Sequence, residues 1–199
     1  MADPPVPMAV RSRSGRARSG SVAAVLGLIL VLTVGWSLID SNLPSQQRLA
    51  ENTTVRVGPF ASDGGQTTLP GPDWRVSRSS SDPQTAYQLA VGAVGVSLDY
   101  IVLPVPEAAD NLWAGQDALS ALDGLRVGQP TSVTSSTGLS GQKATAIMGN
   151  RGGSMVIFVS PDRSYAIAVT ALALRTARAA DRAAAEQAQL GVSFTGPRD

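Results

Sequence analysis

The 199-residue chain contains no cysteine and no histidine. Without cysteine no disulfide can form, so the fold must hold by packing alone even in an oxidising compartment, and no acylated cysteine can serve as a lipid anchor. The two absences together exclude a Ser-His-Asp triad, a cysteine nucleophile and the usual nitrogen and sulfur ligands of a transition metal. Aromatic residues are only 5% against 43% hydrophobic, so a core has to be built from Ala, Val, Leu and Ile. Lysine is nearly absent: Lys143 stands alone against 15 arginines, a bias that with the many alanines and glycines resembles the composition of proteins from GC-rich bacterial genomes.

The formal net charge of +1 hides an asymmetry. Residues 1–20 carry Arg11, Arg13, Arg16 and Arg18 against Asp3, whereas residues 41–199 hold 12 basic and 13 acidic groups. A near-neutral main body gives no electrostatic case for nucleic acid, whose binders present a basic face.

One long run has no charge at all. Residues 21–39, SVAAVLGLILVLTVGWSLI, follow the four arginines and end at Asp40. These 19 residues reach about 28 Å as a helix, close to the ~30 Å thickness of bilayer hydrocarbon. Trp36 falls near one end, where an indole favours the interface, and the arginines predict a cytoplasmic N-terminus. A cleaved signal peptide would have a shorter apolar region and a small-x-small site, and Trp36, Leu38 and Ile39 stand where small residues would be needed. The expectation is therefore a disordered basic tail over 1–20, an uncleaved transmembrane helix over 21–39, a tether and loop over 40–72, and an extracytoplasmic domain over 73–195.

Within the tether, Pro44-Ser45 predicts a short helix over 46–51, residues 54–57 alternate like a strand, and a Gly/Ser/Asp/Pro-rich loop over 61–72 leaves room for a short strand at 67–69. From Asp73 strand signals are continuous: 73–76, then 86–91 and 94–103 hinged at Gly92-Ala93, with Val94, Val96, Leu98 and Tyr100 facing inward and Gly95, Ser97 and Asp99 on the other side. Residues 107–122 read as an amphipathic helix with Leu112, Gly115, Leu119 and Leu122 on its stripe. Strands follow at 131–137, 143–148, 154–160 and 165–174, and residues 155–159, apolar throughout, belong at a sheet centre covered on both faces. Thr176 is placed to cap a last helix over 177–190, in which Ala180, Ala184 and Ala188 allow close packing and Arg182 can pair with Glu186. A closing strand at 192–194 completes an α+β domain, an antiparallel sheet flanked by helices and preceded by the transmembrane segment.

The Pro70-Gly71-Pro72-Asp73-Trp74 opening, the Tyr87 hairpin and the helix after it make this order resemble the PsbP-like fold family. So do Gly138-Leu139-Ser140-Gly141 leading into a three-strand meander and the terminal helix running into Val192-Ser193-Phe194. That family includes photosystem extrinsic proteins, Mog-type Ran-binding proteins and actinobacterial LpqN-type envelope proteins. The resemblance covers residues 73–194, implies a PsbP-like sandwich that binds or assists rather than catalyses, and carries over no functional residue.

Catalytic motifs are few. Ser140-Gly141-Gln142-Lys143 matches S-x-x-K, but glycines flank the serine, a strand follows at once, and neither S-D-N nor K-T-G occurs. Asp110 and Asp117, near Glu107, read as a solvated helix face rather than a paired-carboxylate site. The expectation is a non-catalytic module without metal or cofactor, held at the cell envelope and binding an envelope protein, a cell-wall component or a lipid. One alternative is a ligand- or lipid-binding sensor with a pocket between helix and sheet walled by Trp113 and Tyr87. A second is a hydrolase using Ser140 and Lys143.

Overall fold

The computed structural model describes residues 46–60, 63–106 and 108–195. The expected tail over 1–20 and membrane span over 21–39 lie outside the described residues. Among the described residues no helix is long and apolar enough to cross a membrane.

Among the described residues twelve strands and two α-helices follow in the order β1 (Gln46–Arg48), β2 (Thr54–Val57), β3 (Gly64–Thr68), β4 (Trp74–Ser77), β5 (Ala86–Val91), β6 (Val94–Val102), α1 (Ala108–Leu122), β7 (Leu125–Val127), β8 (Thr131–Thr134), β9 (Ser140–Met148), β10 (Arg151–Val159), β11 (Tyr165–Leu174), α2 (Ala179–Leu190) and β12 (Ser193–Thr195). Nine strands form one sheet in the order β1-β4-β5-β6-β11-β10-β9-β7, with β8 also on β9, and β12-β3-β2 form a second. Every pairing is antiparallel. The chain is thus a sheet-rich α+β fold.

The large sheet separates two apolar cores. On one face Val94, Val96, Leu98, Val156, Phe158 and Val169 meet Ala185 and Ala188 of α2 and Val55, Val57 and Val192 around the small sheet. On the other, Leu103, Ile157, Ala166 and Ala168 meet Ala109, Leu112 and Trp113 of α1. Strand β11 lies between these cores and is buried from Tyr165 through Leu172, which is why its sequence is apolar without alternation. Two-residue turns join β5 to β6 and β9 to β10, and Gly92 (φ 55°) and Gly149 (φ 57°) supply the left-handed residue each needs.

Several expectations change. Residues 46–60 and 63–72 are built into the domain: β1 pairs with β4, and Val55, Val57 and Leu69 are core residues. Residues 46–48 form a strand rather than a helix, because pairing with residues 75–77 outweighs the local start signal at Pro44-Ser45. On α1 the packed side is Ala108, Ala109, Leu112 and Trp113 with buried Ser120, while Leu119 and Leu122 point outward at 61% and 83% exposure. The large indole of Trp113 and the close approach allowed by the alanines rotate the helix by about one residue from the leucine stripe.

Helix α2 begins at Ala179 after Arg178, so Thr176 is not its cap. The Arg178 side chain turns back to hold Asp181 in the first turn, where a carboxylate is favoured. Asp181, Ala185, Ala188 and Gln189 are the buried positions, and Ala180 is exposed. Both ends of α2 are fixed. Asp181 sits where a side chain at Gly92 would have to go, and Thr67 and Ser136 donate to the carbonyls of Ala188 and Leu190.

Candidate functional site

Beside α2, where the helix no longer covers the sheet, a groove of ≈ 710 Å³ runs over β9, β10 and β11. Its floor carries almost no side-chain bulk: Gly152, Gly153, Ser154, Ala171 and Ala173. A Cβ on Gly152 would meet nothing within 4 Å, so the space at that point is open. Gly153 differs, since a Cβ there would run into the Ala171 carbonyl and the strand requires glycine.

The helix wall is formed by Arg182, Ala185, Glu186 and Gln189. Gln189 is 1% exposed, and its amide donates to the carbonyls of Ser154 and Val169, both at 2.9 Å, while accepting from the Ser154 hydroxyl at 3.0 Å. A buried amide satisfied in this way holds the wall against the floor. Lys143 rises from β9 to meet Glu186 at 2.7 Å across the groove. Arg182 does not pair with Glu186 as its spacing suggested; it donates instead to the carbonyls of Leu174 and Arg175, at 3.2 and 3.0 Å, where β11 ends. With Arg175 exposed on the same rim, three cations face one carboxylate. The groove therefore offers a small-residue floor for apolar groups and a positive rim for an anion.

The residues singled out in the sequence are dispersed. Ser140 and Lys143 lie three apart on one strand and project to opposite faces. Ser140 lines a separate ≈ 380 Å³ cavity with Trp113 beneath α1, and Lys143 lines the α2 groove. A lysine on the far side of a sheet cannot take a proton from that serine. Tyr87 packs into the core on the α2 face and Trp113 into the other, so they do not wall one pocket. Asp110 is paired with Arg163 at 2.6 Å, Asp117 is exposed, and Glu107 lies outside the described residues. Among the described residues no cluster of three or more carboxylates could hold a metal ion.

Arg175 and Gln189 carry no signal in the sequence, and Asp99 was legible only as a residue on the polar side of its strand. Asp99 lies on β6 beneath α1, where it accepts a hydrogen bond from Ser97. Burial pushes its carboxyl above the ordinary aspartate value, partly offset by that bond. The available signal was the polar face of 95–99 in a sheet flanked by two helices: once both faces are covered, such a face must line a cavity or be bonded.

By fold and geometry this is a sheet-rich α+β domain with a positively rimmed groove. The chain matches no family model, no curated protein and no solved structure.

Proposed function

We propose that the chain is a single-pass protein of the bacterial envelope, anchored through residues 21–39, whose outer domain is a non-catalytic binding module for an anionic amphiphile held in the α2 groove. The observation that carries this reading is the groove itself. Its ≈ 710 Å³ lies within the range of about 300–1,000 Å³ usual for ligand sites. Its glycine and alanine floor suits an acyl or other apolar chain, and Lys143, Arg175 and Arg182 outweigh Glu186 at the rim. A charged head placed at that rim meets three cations, two of them exposed and Lys143 half-buried. Confinement to the membrane surface raises the effective concentration of the domain toward ligands and partners held there.

The separation of Ser140 from Lys143 favours binding over hydrolysis. The PsbP-like resemblance belongs to the same proposal, supported by an antiparallel sheet with a helix on each face.

Photolabelling of intact cells with a diazirine-bearing fatty acid, followed by peptide mapping of the purified chain, tests the reading. Adducts on peptides containing Thr145, Gly152 or Ala185 are expected. Labelling confined to residues 21–39 would show ordinary contact between an anchor and lipid and would remove the groove from the account.

A further inference from the structure

On the face of the sheet away from the groove, the register places two rows of side chains beneath α1. Ala86, Asp99 and Ala168 stand side by side on β5, β6 and β11, and the adjacent row is Gln88, Ser97 and Thr170. Gln116 and Ser120 of α1 face Gln88, Ser97, Asp99 and Thr170 across a cavity of ≈ 420 Å³. The direct partners of Asp99 on both adjoining strands are alanines, which leave room beside its carboxyl, while Gln88 and Thr170 line the same space one row away. One carboxylate oxygen accepts from Ser97, and among the described residues no cation is paired with it.

The charged groups lining the cavity are Asp99 itself, Asp123 just beyond α1 and Arg151 on β10, which sum to −1. The other polar groups turned toward it, from β5, β11 and α1, are neutral amides and hydroxyls. Leu125, Met148, Met155 and Leu172 supply an apolar side. A half-buried carboxylate without a counter-ion costs free energy, and the same desolvation raises its proton affinity. A cationic ligand would supply the missing charge, the amides and hydroxyls would orient it, and the methionines would adapt to its carbon arm.

We propose that this cavity binds a primary ammonium carried on a short apolar arm, with Asp99 as its counter-charge. The site is separate from the α2 groove and does not depend on what that groove binds.

The probe is n-butylammonium, added to the full chain in lipid nanodiscs, with n-butanol and butyrate as neutral and anionic controls. The readout is NMR of the Asp99 carboxyl carbon and the Gln116 side-chain amide. Butylammonium alone should give saturable shifts, and at saturation the protonation midpoint of Asp99 should move to lower pH. Asp99→Asn should weaken binding by about tenfold or more, whereas Asp117→Asn, exposed on α1, should bind as the wild type does. Equal shifts with n-butanol, retained binding in Asp99→Asn, or an Asp99 midpoint that the probe does not move would each overturn the assignment. Should Asp99→Asn fail to fold, the wild-type carboxyl titration decides the question alone.

Discussion

Ser154 holds the Gln189 amide at both its oxygen and its nitrogen. Its hydroxyl donates to Gln189 Oε1 at 3.0 Å, and its carbonyl accepts from Gln189 Nε2 at 2.9 Å. One residue of the sheet thereby fixes one residue of α2, and a further bond from Nε2 to the Val169 carbonyl ties in the next strand. The wall and the floor of the groove are joined at this contact.

Gln189→Ala removes three hydrogen bonds, strips the Ser154 hydroxyl of its acceptor and leaves a void in a buried setting. It should lower unfolding stability by about 2–3 kcal/mol, read from the urea midpoint with an unchanged slope. A shift under about 0.5 kcal/mol, the ordinary range for surface changes, would mean that the contact does not hold the helix.

Two glycines should respond in opposite ways. Gly92 adopts φ 55°, and a Cβ there would collide with the Asp181 carboxylate, so Gly92→Ala should cost about 1–3 kcal/mol. Gly152 is a strand residue facing open space, so Gly152→Ala should be neutral or stabilising by up to about 1 kcal/mol. Gly152→Leu should occupy the groove and abolish amphiphile binding without lowering the urea midpoint. Comparable destabilisation by Gly92→Ala and Gly152→Ala would contradict this placement.

These contrasts show where the sequence was legible. The hairpin of residues 86–103, the meander ending in β11 and both helices depend on local periodicity and on turn formers such as Gly92-Ala93 and Gly149-Asn150, and they stand close to where the pattern puts them. β1 was not legible, because residues 46–48 become a strand only by pairing with residues 75–77. The orientation of α1 was ambiguous, since a leucine stripe and a Trp113 face fit the same sequence one residue apart. The groove is made by missing bulk at Gly152, Ala171 and Ala173, and small residues carry no mark in a sequence of what lies above them. In Gly152-Gly153 only the turn-forming tendency was visible.

Acid should act on two aspartates with opposite sign. Arg178 hydrogen bonds hold the Asp181 carboxyl below its ordinary value, so Asp181 contributes stability above the unfolded pKa of about 3.9 that is lost as pH falls through its lower folded value. Burial raises Asp99, so its ionisation opposes folding: the penalty is absent below about pH 3.9, grows as pH rises and is complete above the folded pKa. Asp99→Asn should therefore be more stable than wild type at pH 7 and lose that advantage by pH 4, whereas Asp181→Asn should be less stable at pH 7. Urea midpoints across pH 3–7 measure both, and parallel profiles for the wild type and Asp99→Asn would contradict the assignment for Asp99.

The proposed topology has its own test. A reporter that is active only outside the cytoplasm, fused after Asp199, should be active, and a cytoplasm-only reporter at the same position should be silent. The reverse pattern would place the α+β domain inside the cell.

The claim that the α2 groove takes an anionic amphiphile is tested most directly by calorimetric titration of octanoate into the full chain in nanodiscs, comparing the wild type with Arg175→Glu. Arg175 is exposed and makes no ion pair among the described residues, so reversing its charge should leave the fold intact. The account predicts saturable octanoate binding to the wild type, weakened about tenfold or more in Arg175→Glu, with octylammonium not binding at the groove. Equal affinity in the two proteins, or octylammonium binding at the groove as well as octanoate does, would contradict it.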